Sequence, residues 1–128
     1  MRLKNLIRAL VLVLVLSIPL ASYAQQIFVT KSLAAATATG AGTSSSSFGL
    51  LSKHSWHVIV TGSPASVTVN LEGTIDGSNW FTLDSSTTTT SEMRHVVNKP
   101  VTQIRANLAT LTGGSSPTVT VTIASGGN

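Results

Sequence analysis

Beyond position 55 the chain alternates apolar and polar residues with a period of two. Trp56, Val58 and Val60 point one way; His57, Ile59 and Thr61 point the other. Gly62-Ser63-Pro64 breaks the run as a turn. Val67, Val69 and Leu71 then alternate with Thr68, Asn70 and Glu72, the pattern of a half-buried antiparallel strand with one wet face. Asp76 and Gly77 form a hairpin turn, because positive φ costs little in these residue types. Trp80-Phe81-Thr82-Leu83 follows as a short strand, and residues 85–91, all Ser or Thr, read as a mobile loop or an exposed strand. Met93 to Val97 is another strand, closed by Pro100, which cannot donate to a ladder. Ile104, Ala106 and Leu108 mark the inner face of the next strand; Gln103, Arg105 and Asn107 mark its outer face. After the turn at Gly113–Pro117, Val119, Val121 and Ile123 alternate with threonines without exception.

Turns recur every roughly 8–15 residues and no helical period competes. This predicts an all-β fold, an antiparallel β-sandwich of jelly-roll-like form with about 7–8 strands, preceded by a signal peptide helix. Upstream, Gln26 to Ser32 alternates weakly, as an edge strand would. Residues 34–47 are small and polar and bury little, which predicts a flexible arm. The expected organisation is a leader over 1–24, an N-terminal strand and Ala/Gly/Ser arm over 25–47, and the sandwich over 48–128. Trp80 is the expected core anchor behind the hairpin, so Trp80→Ala should cost about 3–5 kcal/mol.

The leader reading changes the charge. Arg2, Lys4 and Arg8 precede an unbroken apolar run, Leu10 to Leu16, and Ser22 and Ala24 have the spacing that a signal peptidase reads. The whole apolar stretch, closed by Ser17-Ile18-Pro19-Leu20 and roughly 11 residues long, is short for a bilayer core that needs about 20. Cleavage after Ala24 is expected, with an uncleaved membrane anchor as the alternative; the membrane enters only through that leader. The whole chain carries +4, but the part after Ala24 keeps five Lys or Arg against four Asp or Glu, a net of +1. No basic stripe remains, which argues against nucleic-acid binding. The part after Ala24 has no Cys, so its stability rests on burial and hydrogen bonds. Ser and Thr make up 34 of its 104 residues, which points to a wet, weakly charged surface.

Chemistry is sparse. Without Cys there is no thiolate, and no Gly-x-Ser-x-Gly elbow or phosphate-binding glycine loop occurs. His54 and His57, three apart on a strand, fall on opposite faces, which does not suit a shared metal; His54, His57 and His95 read as surface or rim residues. Glu72 and Asp76, with Asn79, have the oxygens of a calcium site, but the simpler role of Asp76 is to make the turn. No catalytic residue, metal ligand or cofactor is predicted. Trp56, Phe81 and Arg105 are the candidate binding surface, and the three aromatics Trp56, Trp80 and Phe81 could make a sugar-stacking platform.

The stretch Val67-Thr-Val-Asn-Leu-Glu-Gly-Thr-Ile-Asp-Gly-Ser-Asn-Trp-Phe-Thr-Leu83 resembles a hairpin of small β-sandwich domains in tailed-phage structural proteins. Gly40-Ala-Gly42, Lys99 to Leu108 and Gly113 to Val121 are similar to the same group. The Asp-Gly-x-x-Trp element also resembles discoidin-like adhesion sandwiches. The resemblance implies a virion surface, decoration or fibre-type role without catalysis, with protein partners met by self-association or by docking on a larger assembly. The leader points instead to a secreted or cell-surface protein on the same scaffold, and then adhesion or glycan binding is the alternative function.

Overall fold

The computed structural model describes residues 27–127; the expected leader lies outside the described residues. Among the described residues seven strands form: β1 (Ile27–Ala36), β2 (Gly40–Ala41), β3 (Ser45–Thr61), β4 (Ser66–Thr74), β5 (Phe81–Ser86), β6 (Ser91–Thr112) and β7 (Thr118–Gly126). Every pairing is antiparallel, in the order β1-β7-β3-β6-β4-β5, with β2 added to β6.

Two long strands fold this one ladder into two layers. The first half of β6 pairs with β3, from Ser91↔Ile59 to Val97↔Lys53. Its second half pairs with β4, from Gln103↔Thr74 to Thr112↔Ser66. Between them the β3–β6 register shifts on both sides of Leu51↔Val101. Such irregularities bend a strand and raise its twist. Asn98, at a φ of 61°, supplies the left-handed residue at the bend. The first layer is therefore β1, β7, most of β3 and the start of β6; the second is the rest of β6 with β2, β4, β5 and the start of β3, where Ser45 and Ser46 pair with Ile104 and Gln103.

The alternation decides what lies between the layers. Trp56, Val58, Val60, Val119, Val121 and Ile123 of the first layer join Val67, Val69, Leu71, Ile104, Ala106 and Leu108 of the second in one buried cluster. Each aliphatic side chain so buried contributes about 1.5–3 kcal/mol. The turns at Gly62–Pro64 and Gly113–Pro117 carry the chain from one layer to the other. They lie side by side: the Ser115 N–H donates to the Gly62 carbonyl at 2.8 Å, and the Ala65 N–H to the Thr112 carbonyl at 2.8 Å.

Three expectations are corrected. The strand over Met93–Val97 does not end at Pro100; β6 runs through it to Thr112. The missing N–H costs nothing in the ladder because Pro100 sits in the bend, where the register with β3 is already broken. Residues 34–47 are not a flexible arm, and the sandwich already includes β1 and β2 ahead of residue 48. Ser32, buried in β1, anchors that segment: its hydroxyl accepts from the Ala106 N–H at 2.7 Å and donates to the Thr43 carbonyl at 2.8 Å. The Thr43 N–H returns to the Ser32 carbonyl at 2.8 Å. A Cβ at Gly42 would collide with that same carbonyl, so only glycine fits there. The third correction concerns the tryptophans. Trp56 is the core residue, 1% exposed, and Trp80 is only half-buried, on the outer side of the second layer.

Candidate functional site

The residues expected to form one binding surface are separated. Trp56 lies in the core, its indole N–H donating to Asp84 Oδ2 at 3.2 Å. The Arg94 guanidinium grips the same carboxylate with two bonds, at 2.8 and 2.9 Å, and holds Asp84 below the usual carboxylate range. Together these three close one side between the layers. Arg105 lies on the outer face of the second layer. Its Nε donates to Glu72 Oε2 at 2.8 Å, and its guanidinium lies 3.9 Å from the centre of the Trp80 ring. The Asn107 amide donates to the other Glu72 oxygen at 2.8 Å. Arg105, Glu72 and Trp80 thus satisfy one another.

Asp76 is held just as fully by the β4–β5 turn. Its Oδ1 accepts from the Thr74 hydroxyl and from the Ser78 and Asn79 N–H groups, and its Oδ2 from the Asn79 amide, at 2.7–2.9 Å. These bonds, the Asn79 amide first, keep its carboxyl far below the ordinary range. Gly77, at a φ of 77°, supplies the left-handed step of this turn. The two acids that would have shared a calcium ion therefore serve different local networks. Among the described residues no group of three or more metal-ligating side chains forms.

Phe81 is 69% exposed, at the mouth of a cleft of about 440 Å³ at one end of the sandwich. Gly73, Ile75, Leu83, Pro100 and Val101 line it, so its walls are mostly apolar. The nearby polar groups of Thr74, Asp76 and Asn79 bond within the turn.

The histidines divide as the alternation predicts, but one is not a surface residue. His54 is buried between the layers. Its Nε2–H donates to the Lys99 carbonyl at 3.0 Å, which leaves Nδ1 to accept from the Ser125 hydroxyl at 2.9 Å. Desolvation lowers its pKa, partly offset by the bond to Lys99. His57 and His95 lie on the opposite face, where His95 Nδ1 is 2.9 Å from the Ser55 hydroxyl. Neither serine–histidine pair is completed by a carboxylate among the described residues.

That opposite face is the feature the sequence reasoning missed. It is the outer side of the first layer, and it presents Ile27, Val29, Ile59, Met93 and Val97 to solvent. Small residues, Ser55 and Ala124, leave shallow hollows of about 260 and 280 Å³ between them. The odd-numbered residues of β3 were legible as outward-facing; their alignment with β1 and β6 was not.

The chain matches no protein-family model and no curated protein sequence. It is similar in fold to solved structures. One is the SPBc2 prophage-derived protein YomS, at a TM-score of 0.59 and 13% identity over 84% of this chain and 99% of that one. Another is the PBSX exported protein XepA, at a TM-score of 0.52 and 19% identity over 81% of this chain and 39% of that one. At these identities the likeness is one of fold: this chain has the antiparallel β-sandwich that those two proteins share.

Proposed function

We propose that this chain is an exported, non-enzymatic structural module that docks on a larger assembly, as a virion surface or decoration protein does. The observation that carries the reading is the outer face of the first layer. This face exposes Ile27 and Val29 on β1 and Ile59, Met93 and Val97 on β3 and β6, with the small residues Gly126 and Ala124 of β7 between the two groups. Large exposed apolar side chains gathered on one face mark interaction sites. The leader supports export, and the shared fold with a prophage-derived protein and an exported protein supports the setting. Density-gradient fractionation of the producing culture, followed by immunodetection, tests it. The chain is expected with high-mass particles, and Met93→Glu/Val97→Glu should release it. Recovery only as a free small protein in every fraction overturns the reading.

A second reading, adhesion or glycan binding, retains Phe81 and its cleft. Of the three aromatics first grouped, Trp56 is buried and Trp80 lies against Arg105, so a sugar has one exposed ring to stack on. Titration with oligosaccharides, followed by calorimetry on wild type and Phe81→Ala, decides this reading: heat that Phe81→Ala abolishes favours it, and no heat removes it.

A further inference from the structure

The exposed apolar face carries a second property, its charge. The register lines up four rows across the first layer. Ile27, Gly126, Lys53 and Val97 form one, and Val29, Ala124, Ser55 and His95 the next. Lys31, Thr122, His57 and Met93 form the third, and Thr120, Ile59 and Ser91 the fourth. No row contains Asp or Glu. The side chains available for charge are Lys31, Lys53, His57 and His95, all basic, and no ion pair of the described residues involves either lysine.

All four Asp and Glu side chains lie elsewhere. Glu72 is bound to Arg105 on the far layer. Asp76 is in the β4–β5 turn. Asp84 is bound to Arg94 at the side of the sandwich. Glu92 faces inward, bonded to the Ser86 hydroxyl and 3.7 Å from Arg94. The sandwich is therefore one-sided: one broad face is apolar and basic, and every acid lies off that face. Complementary potentials govern which surfaces meet.

Taking the assembly reading above as its basis, we infer that this face docks on a different protein, whose surface interleaves carboxylates with apolar side chains. A second copy does not fit. Face to face, two copies would bring together two basic surfaces with no carboxylate on either to offset them. A plain polyanion does not fit either, because it would leave Ile27, Val29, Met93 and Val97 in water. The hollows beside Ser55 and Ala124 are of a size to admit aliphatic side chains of such a partner. With strands about 4.8 Å apart and same-face residues about 6.7 Å apart, the face covers roughly 500 Å². That is less than the roughly 800 Å² per partner of a standard interface. The single contact is thus weak, and holding would come from many copies on one assembly.

The test uses the secreted chain, ¹⁵N-labelled, and a synthetic peptide that alternates glutamate with valine or leucine. Amide shifts are expected on β1, β7, β3 and the first half of β6. Lys31→Glu/Lys53→Glu should weaken the peptide at least about tenfold. Met93→Gln/Val97→Gln should also weaken it, and poly-glutamate should bind less well than the peptide. Absence of binding, shifts confined to the second layer, undiminished binding by the lysine variant, or equal binding of poly-glutamate each overturns the inference. Fractionation of the lysine variant separates this from the assembly reading. If the variant still sediments with particles, the inference falls and the assembly reading stands; if wild type never does, the assembly reading falls by itself.

Discussion

Residue by residue, the largest reassignment is between the two tryptophans. Both read from sequence as strand residues, although β5 begins only after Trp80, and local pattern does not rank them. Trp56 is enclosed by both layers and its N–H meets Asp84, whereas Trp80 lies over Arg105 with one side toward solvent. Trp56→Ala should therefore cost about 3–5 kcal/mol. Trp80→Ala should cost about 0.5–2 kcal/mol, the range of a cation–π contact and far below the cost expected of a core anchor. Urea unfolding of both variants checks the order, and equal losses would contradict it. His54 supplies the pH dependence. Its folded pKa is depressed below the ordinary 6.5. The unfolded chain therefore takes up a proton that the folded ring resists, and stability falls as pH drops below about 6.5 until the folded pKa is reached. Melting temperatures from pH 8 to 5 should show this decline, and His54→Gln should flatten it.

Among the elements, β6 decides the architecture. Its two halves read from sequence as separate strands, because Pro100 carries the signals of a stop. Those signals are real, but they mark a bend within one strand, since the partner changes there from β3 to β4. Asn98 is the residue to test. At a φ of 61°, Asn98→Gly should be close to neutral, whereas Asn98→Val should destabilise by about 1–2 kcal/mol. Denaturation midpoints give the comparison, and a harmless valine would mean that the bend does not need this conformation. The β4–β5 hairpin was legible by contrast, because Asp76 and Gly77 act locally: the acid binds turn amides three residues or fewer away.

On the scale of the molecule, β3 and β6 each belong to both layers, so neither layer can open without breaking a ladder in the other. Unfolding should be a single transition, with tryptophan fluorescence and far-UV circular dichroism superimposing. Hydrogen exchange should place Ile104–Leu108 and Val119–Ile123 in the most protected class and the edge residues Ile27–Lys31 in the least. Two separate transitions, or an edge as protected as the centre, would contradict this. The pairings join residues far apart in sequence, such as Ile27↔Gly126, so folding should take milliseconds to seconds. The same arrangement creates the one-sided charge: each acid is fixed by its own neighbours, and the outer face of the first layer is left with only basic groups.

What the sequence determined alone is what depends on near neighbours. Alternation sorted inward from outward residues on β3, β4, β7 and the second half of β6, because successive side chains on a strand must take opposite faces. Turn residues marked where strands part, and hydroxyl-rich outer positions told of a weakly charged surface. Tertiary structure decided which inward side chains became fully enclosed, that small residues 34–47 are held through Ser32 and Gly42, and that Trp56, Phe81 and Arg105 are dispersed. It also assembled the apolar, acid-free face from β1, β7, β3 and β6. The physical reason is that strand order and register are set by contacts between distant segments, and a period of two repeats identically whichever strand lies alongside.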